Sequence, residues 1–304
     1  MTLYESLMEY PRASLLELAR LKGLRGVSRF RKEDLACRLA KHMLSPEVIR
    51  RYFQWLNDDE IALLPQAPEL IYQSEFAVRA FDEEDGTLQQ FFVLPEVLDV
   101  YYAAATPEFH AKRRKYSFLL SCLNVVDAWY GAVPLDVMMQ LAAAAPELEI
   151  TETELLKALD ELPGELQNYH LLGGVLWHRD ALDAEVQLLK DQQNGPFYIP
   201  TRDEIQQLGR LGYLPETDGA SYLLQLLQEN SSCREDAEEL VCLVSKCIAA
   251  GCSVRDVMEL LEPHMDDMTD AEKIMLVDPA CRLYENTRLL IFRGHTRKEL
   301  GIEF

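Results

Sequence analysis

Long apolar runs are missing from this 304-residue sequence, although 48% of its residues are hydrophobic. The longest weakly polar stretch, Val133 to Pro146, is too short and too often interrupted to cross a bilayer. The opening residues, MTLYESLMEYPR, contain no basic segment leading into an apolar one, so we expect no secretory signal. These absences predict a packed globular protein of the cytoplasm, without a membrane partner.

Cysteine pairs with the C-x-x-C spacing are also missing. The sequence contains seven cysteines but no C-x-x-C, and four of them lie near one another, at Cys233, Cys242, Cys247 and Cys252. Cys242 and Cys247 are five residues apart, which separates them by about 140° around a helix. That separation suits neither a shared zinc ion nor a local disulfide. We therefore expect buried free thiols and no structural metal.

The local signatures of common enzymes do not occur. We find no nucleophile elbow, no H-E-x-x-H, no G-x-x-x-x-G-K-[ST] and no G-x-G-x-x-G after a strand. His170 and His178 flank a predicted hairpin, where they belong to neighbouring cross-strand pairs and point to opposite faces. We predict no catalytic residue, no metal ligand and no cofactor. A hydrolase with a dispersed active site stays as an alternative.

Positive charge is scarce, and it is concentrated near the beginning of the sequence. The whole chain has a net charge of −21. Residues 1–45 hold nine Lys and Arg against five Asp and Glu, a net charge of +4, which leaves −25 for the other 259 residues. We predict three domains, at 1–45, 46–190 and 191–304. Nucleic-acid binding should be confined to the first domain, because the acidic remainder repels phosphates.

The first 45 residues are predicted to form two helices joined by an extended basic link. Ser14 and Glu17 have the spacing of a capping box for the first helix. The second helix is expected from about Arg31 to Met43, and Ser45-Pro46 then starts another. Between the first two helices, six of the thirteen residues from Arg20 to Lys32 are basic and none is acidic.

The stretch SLLELARLKGLRGVSRFRKEDL resembles the small N-terminal domain of transcription termination factor Rho, a relative of SAP-type helix-extension-helix modules. The matching residues are Leu15, Leu18, Ala19, Leu24, Gly26, Ser28, Arg31, Lys32 and Leu35. The resemblance implies binding of RNA or DNA through the link, by Arg25, Arg29, Arg31 and Lys32. No five-stranded barrel or P-loop follows, so ATPase activity is not implied. The alternative is that this basic face docks an acidic protein partner.

From Pro46 onward the sequence predicts short helices and two β-hairpins. The first hairpin spans Phe76 to Leu94 around Asp85-Gly86, and the second spans Tyr169 to His178 around two glycines. Helices followed by a hairpin are the order of a winged-helix fold. The first tip, Asp82 to Asp85, is acidic, so we expect such units to contact protein instead of phosphate. The predicted fold class is mainly α and multi-domain, with two short hairpins and a winged-helix-like organisation.

A long helix is predicted between the hairpins, capped by Thr106 and with Pro107 in its first turn. A basic run lies near its N-terminal end, where the helix dipole disfavours cations. This run consists of Lys112, Arg113, Arg114 and Lys115. One interpretation is a site for an anion or an acidic partner. The other, which the many nearby carboxylates favour, is local ion pairing.

After Gln192 an extended segment and a series of helices are expected. Thr201 and Glu204 have capping-box spacing, and further helices are predicted at 220–229, 234–250, 254–262 and 269–286. Thr296 and Glu299 predict a last short helix. Three residues near this end suit either a bound phosphate or, preferably, a clamp onto acidic neighbours: Arg288, Arg293 and His295.

A second resemblance covers nearly the whole sequence. The Rho-like start, the stretch PFYIPT…EI from Pro196 to Ile205, and the stretch TR…RGHT…EL from Thr287 to Leu300 are similar to uncharacterised bacterial proteins, mainly Gram-positive and clostridial. That group has no assigned activity. Some of its members add a cysteine-rich, zinc-binding SEC-C tail, which this sequence lacks, so the resemblance implies no zinc.

These observations lead to three hypotheses. The first is a non-enzymatic cytoplasmic adaptor or regulator whose N-terminal module binds nucleic acid weakly and without sequence preference. The second is a protein-only scaffold whose basic module docks an acidic protein surface. The third is the hydrolase with a dispersed site. In the second hypothesis the acidic surface belongs to a partner or to the rest of this chain. Deletion of residues 1–45 separates the first two hypotheses, because only the first predicts a loss of nucleic-acid retention.

Overall fold

The structure is a computed structural model that describes residues 1–81, 88–178, 192, 195–230, 234–264 and 269–302. It is mainly α-helical, with one two-stranded and one three-stranded antiparallel sheet, which confirms the predicted mainly α fold with short hairpins. The chain divides into two compact units, Met1–Leu119 with Ile150–Asn168, and Leu120–Glu149 with Tyr169–Phe304. The three predicted domains have other boundaries and stay a prediction. None of the described helices is both long and apolar enough to span a membrane.

Four helices begin the chain: α1 (Leu3–Glu9), α2 (Arg12–Leu21), α3 (Lys32–Met43) and α4 (Pro46–Phe53). The predicted start at Ser14 is wrong: α2 already begins at Arg12, and Pro11 occupies its N-cap position with an extended backbone. The start of α3 is within one residue of the prediction. Ser45 caps α4 as predicted, its hydroxyl accepting from the Val48 amide.

The first hairpin follows two short helices, α5 (Asp58–Ala62) and α6 (Glu69–Gln73). Its strands are β1 (Ala77–Phe81) and β2 (Leu88–Val93), paired antiparallel from Ala77 opposite Val93. The hairpin is therefore confirmed, while the predicted turn at Asp85-Gly86 and its acidic tip lie outside the described residues. Pro95 opens the next helix, α7 (Pro95–Ala104), as expected.

The long helix α8 (Pro107–Val125) begins at the predicted cap, where the Thr106 hydroxyl accepts from the Phe109 amide at 3.2 Å. It continues into a π-helix over Val126–Tyr130. There follow β3 (Ala132–Pro134), α9 (Leu135–Ala142), α10 (Glu152–Glu161), β4 (Tyr169–Leu172) and β5 (Val175–His178).

The second hairpin has the predicted register, with Tyr169 opposite His178 and His170 opposite Trp177. The two histidines therefore occupy neighbouring pairs, as the sequence indicates. The added strand β3 pairs with β5 and gives the order β3-β5-β4. Sequence analysis missed β3, because three residues are too few to show a strand pattern.

Six helices are described in the remainder of the second unit: α11 (Arg202–Leu211), α12 (Ala220–Asn230), α13 (Arg234–Ala249), α14 (Val254–Leu261), α15 (Asp270–Met275) and α16 (Val277–Asn286). The apolar faces of α12, α13, α14 and α16 share one core that includes Leu223, Val241 and Val244. Thr201 and Glu204 form the predicted capping box.

Two predictions about this region are wrong. The single helix expected at 269–286 is interrupted between α15 and α16, because Pro279 cannot donate to the carbonyl of Met275. The last short helix is absent among the described residues: Thr296 pairs with Arg288 in an isolated β-bridge, and 297–301 forms turns. The capping bonds between Thr296 and Glu299 nevertheless form, each 3.0 Å long.

Candidate nucleic-acid interface

The basic link between α2 and α3 has a fixed conformation. Gly23 and Gly26 have φ values of 79° and 75°, which let the chain leave α2 sharply. The side chain of Val27 is buried beneath the link. Arg12 fixes its far end, donating to the carbonyl oxygens of Ser28 at 2.5 Å and of Phe30 at 3.0 Å. These contacts hold the backbone that carries the predicted binding residues.

The four predicted binding residues of the link carry available positive charge. Arg25, Arg29 and Arg31 are exposed, and Lys32 is half-buried. None of the four side chains forms a hydrogen bond or an ion pair with another described residue. Their guanidinium and ammonium groups are therefore free to bind an anion from outside the chain.

Lys22 belongs to the same basic stretch but faces inward. Its side chain is fully buried, and its Nζ lies 2.6 Å from Glu165 Oε1 and 3.0 Å from the Tyr52 hydroxyl. Burial lowers the pKa of Lys22 to about 8, although the neighbouring Glu165 carboxylate opposes this shift. Lys22 therefore anchors the beginning of the link within the first unit and is unavailable to a ligand.

The first turn of α3 contains groups that attract an anion and groups that repel one. Arg31 is the N-cap residue and makes no side-chain cap, so no side chain caps the first-turn amides. Those amides and the helix dipole favour an anion. Glu33 and Asp34 lie exposed in the same turn and oppose one. The resulting surface is positive, with two carboxylates at its border.

The second predicted basic cluster is largely neutralised by carboxylates of the first unit. Lys112 Nζ lies 2.5 Å from Glu161, and Lys115 Nζ lies 2.7 Å from Glu154. Burial raises the pKa of Glu161, but the hydrogen bond and charge of Lys112 outweigh it and lower that pKa overall. The hydrogen bond from Lys115 likewise lowers the pKa of Glu154.

The arginines of this cluster differ in exposure. Arg113 is 3% exposed, donates to the Leu56 carbonyl at 2.7 Å, and pairs with Asp58. Arg114 is exposed. Three of the four cations thus have internal partners, in agreement with the ion-pairing interpretation.

The third cluster, near the end of the chain, holds neighbouring segments of the second unit together. Arg288 lies between Glu204, at 3.5 Å, and Glu299, at 3.2 Å, and its guanidinium is 3.3 Å from the ring centre of Tyr198. Burial and the hydrogen bond to Glu204 raise the pKa of Tyr198 to about 12. Arg288 thus clamps the 198–204 segment to the 294–299 segment.

Arg293 and His295 likewise hold the backbone at Gly195 and Pro196. Arg293 donates to the Gly195 carbonyl at 2.6 Å, and a ring nitrogen of His295 lies 3.2 Å from the Pro196 carbonyl. The other ring nitrogen of His295 is 3.4 Å from Glu299. These contacts match the predicted clamp onto neighbouring groups and occupy donors that a phosphate would need.

A cavity of about 560 Å³ lies beside this clamp in the second unit. Its lining includes Trp129 from the π-helix, Lys246 from α13, and the Glu204–Arg288–Glu299 group. Both carboxylates form ion pairs with Arg288. No local pattern predicts this cavity, because its lining residues extend from residue 128 to residue 299.

The described cysteines are free thiols, as expected, but among them only Cys122 is buried. Cys122 is buried, Cys37 is exposed, and four others are half-buried: Cys242, Cys247, Cys252 and Cys281. Within the described ranges, no three or more His, Cys, Asp or Glu side chains are arranged to hold a metal ion.

Comparison of the chain with protein-family models, with curated proteins and with solved structures found no match. The resemblance to the Rho N-terminal domain therefore rests on the quoted residues alone.

Proposed function

We propose that this protein is a non-enzymatic adaptor or regulator whose N-terminal module binds the nucleic-acid backbone through Arg25, Arg29, Arg31 and Lys32. The supporting observation is a contrast among the three basic clusters. The side chains of the other two clusters are mostly committed to carboxylates or carbonyls. The four link residues have no partner within the described part of the chain.

The local architecture supports the same proposal. Two helices, α2 and α3, flank an extended link, as in the helix-extension-helix modules that the sequence resembles. Arg12 and Val27 hold the link in place, so binding would not require the backbone to be ordered first. A pre-ordered set of cations at a helix N-terminus is suited to phosphate oxygens.

The proposed interaction is weak. Three or four phosphate contacts correspond to a log–log salt slope of about −2 to −4 and to a Kd on the order of 10–100 μM at physiological salt. The net charge of −25 on the rest of the chain opposes the approach of a polyanion. Phosphate contacts carry no base information, so we expect little sequence preference.

The test is a fluorescence-anisotropy titration of single- and double-stranded oligonucleotides with the full chain at two salt concentrations. Arg29→Glu with Arg31→Glu should lower the affinity at least tenfold, because two attractive contacts become repulsive. Arg114→Glu is the matched control, since Arg114 is an exposed arginine outside the link. Absence of salt-dependent binding at low salt would contradict the proposal and favour a protein-docking module.

We also propose that the segment from α8 to β5 is a winged-helix unit that contacts protein. Its element order is helix, strand, two helices and a hairpin, with the first strand paired to the last. Helix α10, which in this element order comes where the recognition helix would, carries four acidic residues and one lysine. In the hairpin, Leu171 and Leu172 are 40% and 51% exposed. Acidic and apolar surfaces suit a protein partner better than phosphate.

Nucleic-acid titrations also test whether the hairpin of this second proposal avoids nucleic acid. Leu171→Ser with Leu172→Ser should leave oligonucleotide affinity within twofold of the wild type, because the hairpin would not contact the nucleic acid. A clear loss of affinity in this variant, with the fold intact by circular dichroism, would instead place nucleic acid on the hairpin.

A further inference from the structure

Helix α13 ends in a Schellman motif. Gly251 has φ of +101°, its amide donates to the Ile248 carbonyl at 2.9 Å, and the Cys252 amide donates to the Cys247 carbonyl at 3.0 Å. This pair of hydrogen bonds reverses the chain immediately after the helix. In a Schellman motif, the side chains of the two residues joined by the longer-range hydrogen bond lie next to each other. Here both of these residues are cysteines.

The backbone geometry places Cys247 and Cys252 within disulfide range. With 3.0 Å between the Cys252 nitrogen and the Cys247 oxygen, standard bond lengths keep the two Cα atoms within about 7 Å. The two thiols also interact. Burial raises the pKa of Cys247, and the charge and hydrogen bond of Cys252 raise that pKa further. Both residues are half-buried free thiols, so small oxidants can reach them.

We propose that Cys247 and Cys252 form a reversible oxidation site, which closes to a disulfide in the presence of a peroxide. The Cys252 thiolate attacks one peroxide oxygen, the O–O bond breaks, and hydroxide leaves to be protonated to water. The Cys247 thiol then attacks the sulfur of the resulting sulfenic acid, and the S–O bond breaks. The departing hydroxide takes the proton of Cys247, so two thiols lose two electrons and the peroxide becomes two waters.

The order of attack follows from the two environments. The thiolate is the nucleophile, and burial together with the neighbouring Cys252 raises the pKa of Cys247, which lowers its thiolate fraction. Cys252 lies beyond the end of the helix, in the turn that follows Gly251. A thiol reductant restores both cysteines by exchange through a mixed disulfide. The closed form would link the end of α13 to the start of α14, whose N-cap is Ser253.

The experiment uses the full chain, treated with one equivalent of hydrogen peroxide and then with an alkylating agent. Cleavage after Lys246 and Arg255 releases both cysteines on one peptide, residues 247–255. We expect this peptide to lose two hydrogens and to accept no alkyl group, and dithiothreitol should restore double alkylation. If the peptide remains doubly alkylated while other cysteines oxidise, the proposal is wrong.

Two single variants test the assigned roles. Cys247→Ser should leave a sulfenic acid on Cys252 that a dimedone probe labels, whereas Cys252→Ser should reduce probe labelling of the peptide at least tenfold. Cys37→Ser is the matched control, because Cys37 is an exposed cysteine outside the pair, and it should not change disulfide yield. A disulfide that joins Cys252 to any cysteine other than Cys247 would overturn the assignment.

Discussion

At the residue scale, the position of each cation decides whether its charge serves the fold or a ligand. Lys22 and Arg29 are both in the basic stretch, yet Lys22 is buried against Glu165 and Arg29 is exposed. The difference arises because Lys22 follows α2 directly and points inward, whereas Arg29 lies on the far part of the link. A count of basic residues therefore overstates the charge that a ligand would meet.

Lys22 should give the protein an unusual pH dependence in mildly alkaline solution. Its pKa is about 8 in the folded chain, and an unfolded lysine has a model value of 10.5. Between these values the unfolded chain binds more protons, so the free energy of unfolding contributed by this residue rises with pH. Relative to Lys22→Met, the wild type should gain about 1–2 kcal/mol from pH 7.5 to 9.5.

Urea unfolding of both proteins at three pH values measures this difference. A constant difference, or one that falls with pH, would show that Lys22 keeps its proton in the folded chain.

The two acids at the start of α3 should limit nucleic-acid affinity. Glu33→Gln with Asp34→Asn removes two exposed negative charges beside Arg31 and Lys32. We expect affinity to rise about three- to tenfold at low salt, with a smaller rise at high salt because of screening. Glu108→Gln is the control, since it removes an exposed first-turn acid from α8. Equal affinity in the wild type and the double variant would place the bound phosphate elsewhere.

At the element scale, helix ends organise most of the fold. Capping boxes begin α1, α5, α10, α11 and α14. Their side chains satisfy amide groups that the helix itself leaves unpaired. Positive-φ glycines end other segments, and Gly251 at the end of α13 also brings two cysteines together. The same local chemistry therefore sets helix length and the position of reactive groups.

The substitution Gly251→Ala measures how much the left-handed backbone at the end of α13 would cost a residue other than glycine. The φ of +101° is unfavourable for alanine, while no atom lies within 4 Å of the position that its Cβ would take. We expect a loss of about 1–2 kcal/mol in the free energy of unfolding. Gly195→Ala is the control, because that site is equally open and its φ is not positive. Urea denaturation compares the two, and equal losses would contradict this explanation.

At the scale of the whole molecule, acidic charge governs behaviour in solution. The net charge is −21 at pH 7, and the sequence pI is about 4.7. This charge keeps molecules apart and opposes the approach of any polyanion, so the proposed binding through the link would be local and weak. Each unit contains one basic cluster that forms ion pairs with carboxylates. These clusters do not change the negative sign of the protein's overall electrostatic field.

The solubility of the full chain should therefore have a minimum near pH 4.7. As the carboxylates become protonated, repulsion between molecules disappears and association increases. Turbidity measured from pH 7 to pH 4 at low salt follows this change. A minimum displaced by more than about one pH unit would show that buried carboxylates, such as Glu60 with its burial-raised pKa, dominate the titration.

Local signals in the sequence determined the helices, the hairpins and several caps of this protein. Ser45-Pro46, Thr106 and Thr201 each marked a helix start, because capping depends on residues only three positions apart. The register of the second hairpin likewise followed from its two-residue glycine turn. The basic composition of the link was visible, although the burial of Lys22 was not.

Only the tertiary structure decided which charged and reactive groups have partners. Arg113 pairs with Asp58, and Arg288 with Glu204, across sequence separations of 55 and 84 residues. No local pattern encodes such pairs, because many carboxylates are equally available in the sequence. The approach of Cys247 to Cys252 required the left-handed backbone at Gly251, a conformation that residue spacing on a straight helix does not describe. Partners depend on how the chain turns in space, whereas caps depend on immediate neighbours.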